Sequence, residues 1–484
     1  VGFIEFNNSG EAVSEVQASM AEKSAEMRHR GKKGTSQPAG TQVGGSASAA
    51  GAPLTTARLP GDAVAPGKQA DAEEIGWPTT LLLAALAFGL CFGMARLLVN
   101  QFEGTTGPST SEHWARGPRV SCDLAPVLSQ VPSKGMHAVC VQDWEVMKDG
   151  GEVRFTVVLV PSAQAEPSAA ITTSFAVATD ASSNLIFHSF RKLLEDELKV
   201  QNRTVNPWGM FTGDGKPVHS LTDLLSVSHI LVFEGGNFIW PGIRVGHTRS
   251  VFLDDGVSVT LETISLRPLV FSIRDFLSTY ECTYIQREAS PHMAQSGVSL
   301  MDKDIGKPAT NWRTSATYFM PSSSNPPLLG IDRRIASLTK QPLTHQEYLQ
   351  VLRYEETQKY DAHHDYFDPR LYSKDRHTLE LTQHGKRNRM ATVLWYLSEV
   401  EGGGETIFPR VNDTRFSGDP GNCDIGLKVR PEMGKVIMFY SLLPSGELDP
   451  LSFHGACPVI GSREKWAANK WVWNGHIGGL GGYR

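Results

Sequence analysis

One uncharged stretch divides this chain. Trp77–Met94 (WPTTLLLAALAFGLCFGM) has no charged side chain over 18 residues and is followed by Arg96 and LLVN. Roughly 20 apolar residues cross a bilayer core as a helix, so 77–99 is expected to be a single membrane anchor, with a buried core helix as the alternative. Arg58 and Lys68 lie before it and Arg96, Arg116 and Arg119 after it, so the positive-inside rule does not orient it. Between Phe6 and Trp77 there is no aromatic residue. A segment of Ala, Gly, Ser and Thr cannot bury enough apolar surface to offset its ordering entropy, and 1–75 reads as a disordered tail. Residues 100–119 read as a stalk.

Beyond the stalk the texture is that of a packed chain. Glu152–Pro161 (EVRFTVVLVP) alternates like a strand. Asn184–Val200 carries Phe187, Phe190, Leu194 and Leu198 at helical spacing. Gly209–Thr212, a Gly-Asp-Gly turn at 213–215 and His229–Glu234 follow, so 120–250 is expected to be a small α+β domain. From 258 to 476 a second domain is expected. Ser272 and Asp275 have capping-box spacing and would open a helix with Ile273, Phe276, Leu277, Tyr280 and Tyr284 on one face. Pro327–Thr339 suits another helix. After Leu349 the period becomes that of strands, in QVLRY, MATVLWYL, KVIMFYSL and KWVW, which predicts a β-rich core with supporting helices. Residues 477–484 form a Gly-rich tail.

The densest chemistry is YDAHHDYF at 360–367. On a strand, residues i and i+2 share a face, so His363 and Asp365 would converge; H-x-D alone is equally a solvated turn. His454 in SFHGACPV can supply a third ligand. Two His and one carboxylate suit non-haem Fe(II), and zinc accepts the same set. Lys465, 11 residues past His454 in REKWAANKW, would need a counter-charge if it enters an apolar barrel. A dicarboxylate co-substrate would supply one; a surface Lys lying over Trp466 is the alternative. With Lys+Arg 46 against Asp+Glu 51 the net charge is −5, which excludes a dedicated nucleic-acid binder.

These residues, in order, resemble a family. RPLVFSIRDFLSTYEC, NWRTSATYF, DRRIASLTKQP, YLQVLRYEETQKYDAHHDYF, RMATVLWYLSEVEGGGETIFP, LDPLSFHGACPV and KWAANKWVW span about 210 residues and are similar to the catalytic domain of prolyl 4-hydroxylases, Fe(II)- and 2-oxoglutarate-dependent dioxygenases. The resemblance implies a double-stranded β-helix (jelly roll). It places the metal ligands on His363, Asp365 and His454. The 2-oxoglutarate contacts fall on Lys465, Tyr354 and Thr406, and the peptide side of the pocket on Tyr360, Arg389, Trp471 and Trp473. It further implies O2 as co-substrate, L-ascorbate as reductant, and a Pro-rich secreted or wall-type polypeptide as substrate. Family members with Cys at 423 and 457 suggest a disulfide there; Cys122 and Cys140 could pair as well.

Three departures are visible. Trp473 replaces a His of the usual KWIH, the segment HTLELTQHGKRN is longer than usual, and Thr357 stands where Gly is usual. The stretch 209–240 weakly resembles a doublecortin-like, ubiquitin-like β-grasp module. Paired Cys imply an oxidising compartment, and Asn202 and Asn412 begin glycosylation sequons. Together these features predict a single-pass type II protein of the endoplasmic reticulum or Golgi with a lumenal catalytic domain. Two alternatives stay open: an oxygenase with another protein target, and a non-catalytic protein that only grips Pro-rich peptide.

Overall fold

The computed structural model describes residues 134–161, 170–200, 203–254, 256–414, 416 and 418–483. The expected tail, anchor and stalk, together with Cys122 and Asn202, lie outside these residues. Among the described residues no helix is long and apolar enough to cross a membrane. All of them belong to one compact unit, Met94–Arg484.

The N-terminal part runs β1 (Met136–Val146), β2 (Glu152–Val160), β3 (Ile171–Ala178), α1 (Ser183–Leu198), β4 (Gly209–Phe211), α2 (Leu221–Leu225) and β5 (Ile230–Phe233). The alternation in β2 is realised: Val153, Phe155, Val157 and Leu159 are buried against Ile186, Phe190 and Leu194 of α1. Ser182 caps α1 by accepting from the Leu185 amide. The unit is α+β, as expected, but its sheet order is β3-β2-β1-β5-β4 with every pair antiparallel. A β-grasp sheet pairs its first and last strands in parallel at the centre. Here β1 and β5 are paired at the centre but antiparallel, so the β-grasp expectation is not met. The short motif scored only β4, α2 and β5 and carried no information on what β5 pairs with.

Both faces of β5 are covered. Ile230 and Val232 of β5 face the α1 side, whereas Leu231 and Phe233 join a core with Phe238, Trp240, Phe271 and Val393. That is why ILVF, the whole of β5, is apolar without interruption.

The catalytic-type domain opens with β6 (Thr248–Phe252), β7 (Ser258–Leu266) and β8 (Leu269–Arg274). Because β6 pairs along β7, this domain begins before the expected residue 258. Next come α3 (Thr279–Ala289), β9 (Ala294–Gln295), β10 (Ala316–Met320), α4 (Pro326–Thr339), β11 (Leu349–Tyr354), β12 (Tyr360–His363) and α5 (Arg376–Leu381). Strands β13 (Arg389–Tyr396), β14 (Gly402–Gly403), β15 (Thr406–Phe408), β16 (Leu427–Val429) and β17 (Val436–Tyr440) follow. The last are β18 (His454–Ala456), β19 (Val459–Ile460) and β20 (Lys465–Trp473). A nine-stranded sheet, β6-β7-β8-β17-β13-β20-β11-β10-β9, lies opposite a four-stranded sheet, β12-β18-β15-β16. Their inner faces meet through Val270, Leu394, Ile437 and Phe439 of the large sheet and Phe408 and Val429 of the small one. Two antiparallel sheets closed around a shared core agree with the jelly-roll expectation.

The expected helix start at Ser272 is displaced. Ser272 and Ile273 lie in β8, paired with β7 and β17, and Asp275 turns the chain at φ +61°. The capping box is formed by Ser278 and Glu281 instead. Pairing on both edges of a buried strand outweighs a local cap signal. The C-terminal segment is fixed rather than loose. Ile477 is buried, and the Tyr483 hydroxyl donates to Asp332 Oδ2 (2.6 Å), which also takes Lys470 Nζ at 2.8 Å. At Gly481 a Cβ would stand 1.6 Å from the Gln346 carbonyl oxygen, so this approach requires glycine.

Candidate active site

His363 and His454 face each other across the β12–β18 pair. Asp365 lies two residues on, just past the end of β12, and the three side chains bring their donor atoms within 4.8 Å of one another. Both imidazoles are oriented through Nδ1, which donates to a main-chain carbonyl: His363 to Asp361 O (2.9 Å) and His454 to Ser452 O (2.8 Å). The proton is thereby fixed on Nδ1, and the Nε2 lone pairs point at Asp365, 3.6 Å from Oδ1 and 3.4 Å from Oδ2. Burial works to raise the Asp365 carboxyl, but the attraction of His454 and His363 in their protonated forms outweighs it and holds the carboxyl well below the usual range. Burial lowers His454 to about 4 against the pull of Asp365. Two neutral nitrogens and one anionic oxygen aimed at one point, with the remaining directions open, fit a divalent metal of the non-haem Fe(II) type.

Thr392 was missed in the sequence. From β13 its hydroxyl donates to Asp365 Oδ2 at 2.6 Å, which fixes the carboxylate. Thr392→Val keeps the shape and removes this bond. It is expected to weaken Fe(II) affinity about 10–100-fold, as read by metal titration.

Deeper in the barrel, Lys465 is 2 % exposed and has no carboxylate within 4 Å among the described residues. β20 pairs with β11 so that Lys465 stands opposite Tyr354, and its ammonium lies 5.0 Å from the Tyr354 ring and 5.9 Å from that of Tyr396. Desolvation pushes Lys465 down to about 7, with Glu405 pulling the other way. Thr406 accepts from the Tyr396 hydroxyl at 2.8 Å. Gly404, at φ +67°, passes so close that a Cβ would meet Lys465 Cδ at 3.3 Å. A buried cation flanked by hydroxyls and lacking an anion fits a dicarboxylate. Nearby, Thr357 holds φ at +65° and donates its amide to Val459 O (2.8 Å). That conformation explains the Gly expected there and costs a β-branched residue.

On the other side of the metal-type cluster, Tyr360 stacks on His363 with centroids 3.7 Å apart. Arg389 lies 3.5 Å over the Trp471 ring and donates to the Asp365 carbonyl (3.3 Å). Its fork grips Glu347 at 2.6 and 2.9 Å. Trp473, expected at the peptide side, is 1 % exposed. It donates to Glu347 Oε1 (2.6 Å) and packs on Phe367, so it supports Arg389 from behind.

Glu347 and Arg313 were also missed, though a charge bordering each apolar run could have flagged them. Arg313, 4 % exposed, donates to Ser315 Oγ (3.0 Å) and covers the Tyr360 ring at 4.5 Å. Its Nη2 has no hydrogen-bond partner. Cys423 and Cys457 form the expected disulfide, tying the loop before β16 to the end of β18. Cys282 is buried and free. Asn412 is exposed. The long segment before β13 contains α5, whose Leu381 packs with Phe367 and Trp473.

Residues 349–473, which hold both clusters, match the 2OG-Fe(II) oxygenase superfamily model. Probable prolyl 4-hydroxylase 3 of Arabidopsis thaliana is 40% identical over 224 residues, 45% of this chain and 72% of that protein. Prolyl 4-hydroxylase 2 of the same plant is 36% identical over 220 residues, 44% of this chain and 69% of that protein. Among solved structures, a viral collagen prolyl hydroxylase from Paramecium Bursaria Chlorella virus-1, in a 2OG complex, is 25% identical. That match has a TM-score of 0.29 and covers 42% of this chain and 95% of that one. With the two sequence relatives aligned over more than two thirds of their own length, the chain belongs to the prolyl 4-hydroxylase family of 2OG-Fe(II) oxygenases.

Proposed function

We propose that the chain hydroxylates peptidyl proline at C4 in Pro-rich secreted or cell-wall-type polypeptides. The observation that carries the reading is the pairing, in one barrel, of the His363–Asp365–His454 cluster with a buried Lys465 that has no carboxylate in ion-pair range among the described residues. Bound Fe(II) supplies the oxidation: 2-oxoglutarate loses CO2 and becomes succinate with one oxygen of O2, while the other enters a C–H bond of the substrate. The chain's own residues hold and orient. His363, Asp365 and His454 would hold the metal. Lys465, with the Tyr354 and Thr406 hydroxyls, binds the distal carboxylate. Trp471 offers an apolar face and Tyr360 the edge of its ring to a proline ring, and Arg389 and Arg313 place donors toward peptide carbonyls. L-Ascorbate would keep the iron reduced.

A setting in the lumen of the endoplasmic reticulum or Golgi, with 77–99 as a type II anchor, is supported by the Cys423–Cys457 bond and the exposed Asn412 sequon. The test is incubation of the full chain with Fe(II), 2-oxoglutarate, O2, ascorbate and a library of Pro-rich peptides. Mass spectrometry should find one added oxygen on proline with equivalent succinate. Oxygen on another residue would move the target, and iron-loaded chain that yields neither product would sink the reading.

A further inference from the structure

The metal-type cluster is reached by a polar chain that starts in the N-terminal sheet unit. Asn388, fully buried, holds Phe367 at two points, two residues past Asp365. Its Oδ1 accepts the Phe367 amide at 2.9 Å, and its Nδ2 donates to the Phe367 carbonyl at 2.7 Å. The two bonds select one amide orientation, since a flipped Asn388 would set donor against donor and acceptor against acceptor. Asn388 is in turn held by Asn474. The Asn388 amide donates to Asn474 Oδ1 (2.8 Å), and the Asn474 amide donates to Asn388 O (3.1 Å).

The carbonyl of Asn474 points the other way, into the N-terminal unit. There it accepts from Asn206 Nδ2 at 2.5 Å and Asn237 Nδ2 at 3.3 Å. Asn206 also donates to Asn237 Oδ1 (3.3 Å), so each amide fixes the next. Backbone contact sets their distance from the barrel. The Gly235 amide donates to Pro444 O (2.8 Å), and a Cβ on Gly235 would stand 2.7 Å from the Gly446 amide nitrogen.

We propose that the N-terminal sheet unit is a working part of the oxygenase centre: through Asn206, Asn237 and Asn474 it fixes Asn388, and Asn388 fixes the main chain that carries Asp365. These four are positioning residues; none contacts the metal-type cluster itself. Adhesion alone does not call for them, because Leu231, Phe233, Phe238 and Trp240 already join the two parts through an apolar core. A run of amides, buried at Asn237, Asn388 and Asn474, adds a unique geometry, since it is satisfied in one arrangement only. Arg389, next in the chain to Asn388, reaches the Asp365 carbonyl from the same strand start, so the segment after β12 is held from one side.

The proposal rests on the metal reading of His363, Asp365 and His454, and Fe(II) binding by the wild-type full chain is measured first to separate the two. Asn206→Ala and Asn237→Ala are then expected to weaken Fe(II) binding about 2- to 30-fold. They should also shift the visible charge-transfer band of the Fe(II)–2-oxoglutarate complex and speed amide exchange over 363–368. Asn206→Ala combined with Asn388→Ala should cost less than the sum of the two. Glu447→Gln, which breaks the exposed ion pairs of Lys134 and Arg203 with Glu447 at the same junction, is the control for adhesion and should leave the band in place. Wild-type Fe(II) affinity, band and exchange in Asn206→Ala and Asn237→Ala, with or without a lower Tm, would overturn the relay, as would additivity in the double variant. A wild-type chain that binds no Fe(II) would overturn both readings.

Discussion

Asp365→Ala is expected to lose Fe(II) affinity by more than about 100-fold, beyond the range for partners that only orient a ligand, and to fall to background in succinate formation. Among the described residues the carboxylate is the sole anion facing the two Nε2 atoms, and both imidazoles are already committed through Nδ1 to main-chain carbonyls. Without Asp365, nothing at the cluster offsets the cation charge, and the Thr392 hydroxyl loses its acceptor. The barrel should persist, because the Cys423–Cys457 bond and the apolar layer of Phe408 and Phe439 do not involve the carboxylate. Metal titration with circular dichroism separates the two effects. Retained Fe(II) binding at near wild-type affinity would remove Asp365 from the ligand set.

Lys465→Met carries the second large effect, and it runs in opposite directions on two measurements. Affinity for 2-oxoglutarate should fall by about 2–5 kcal/mol, the cost of deleting one partner of a buried charge pair. Stability of the free chain should hold or rise, since an ammonium without a carboxylate partner is removed from the interior. Calorimetry with 2-oxoglutarate and thermal melting without it read the two signs.

The pH dependence follows from the same burial. Lys465 is lowered to about 7, so below that pH the free chain already carries the ammonium that the distal carboxylate needs. Above it, binding must take up a proton. Affinity for 2-oxoglutarate should therefore decline as pH rises past 7, by up to about tenfold per unit, since 1.36 kcal/mol corresponds to one pKa unit. A flat profile from pH 6 to 9 would show that Lys465 stays charged without its partner.

Much of this centre was legible because its signals are local. His363 and Asp365 sit two apart in the chain, so they stay near each other even though Asp365 lies just past the end of β12. The α1 stripe and the strand runs after Leu349 are likewise periodicities confined to a few residues. Thr392, Glu347 and Arg313 were not legible for the opposite reason. Each acts across a register set by other strands: Thr392 on a carboxylate 27 residues earlier, and Glu347 on an arginine 42 residues later. Ser272 shows the limit most plainly, for a sound capping pattern lost to pairing with β7 and β17.

By itself the sequence determined the residue types of the metal and co-substrate clusters, the β-rich class and the disulfide partners. These depend on short spacings or on the order of matched blocks. Only the tertiary structure decided that β1 fills the centre of the small sheet, that Trp473 stands behind Arg389, and that an asparagine chain joins the two parts. Those facts depend on which distant strands share hydrogen bonds, and pairing energy is a property of both partners together.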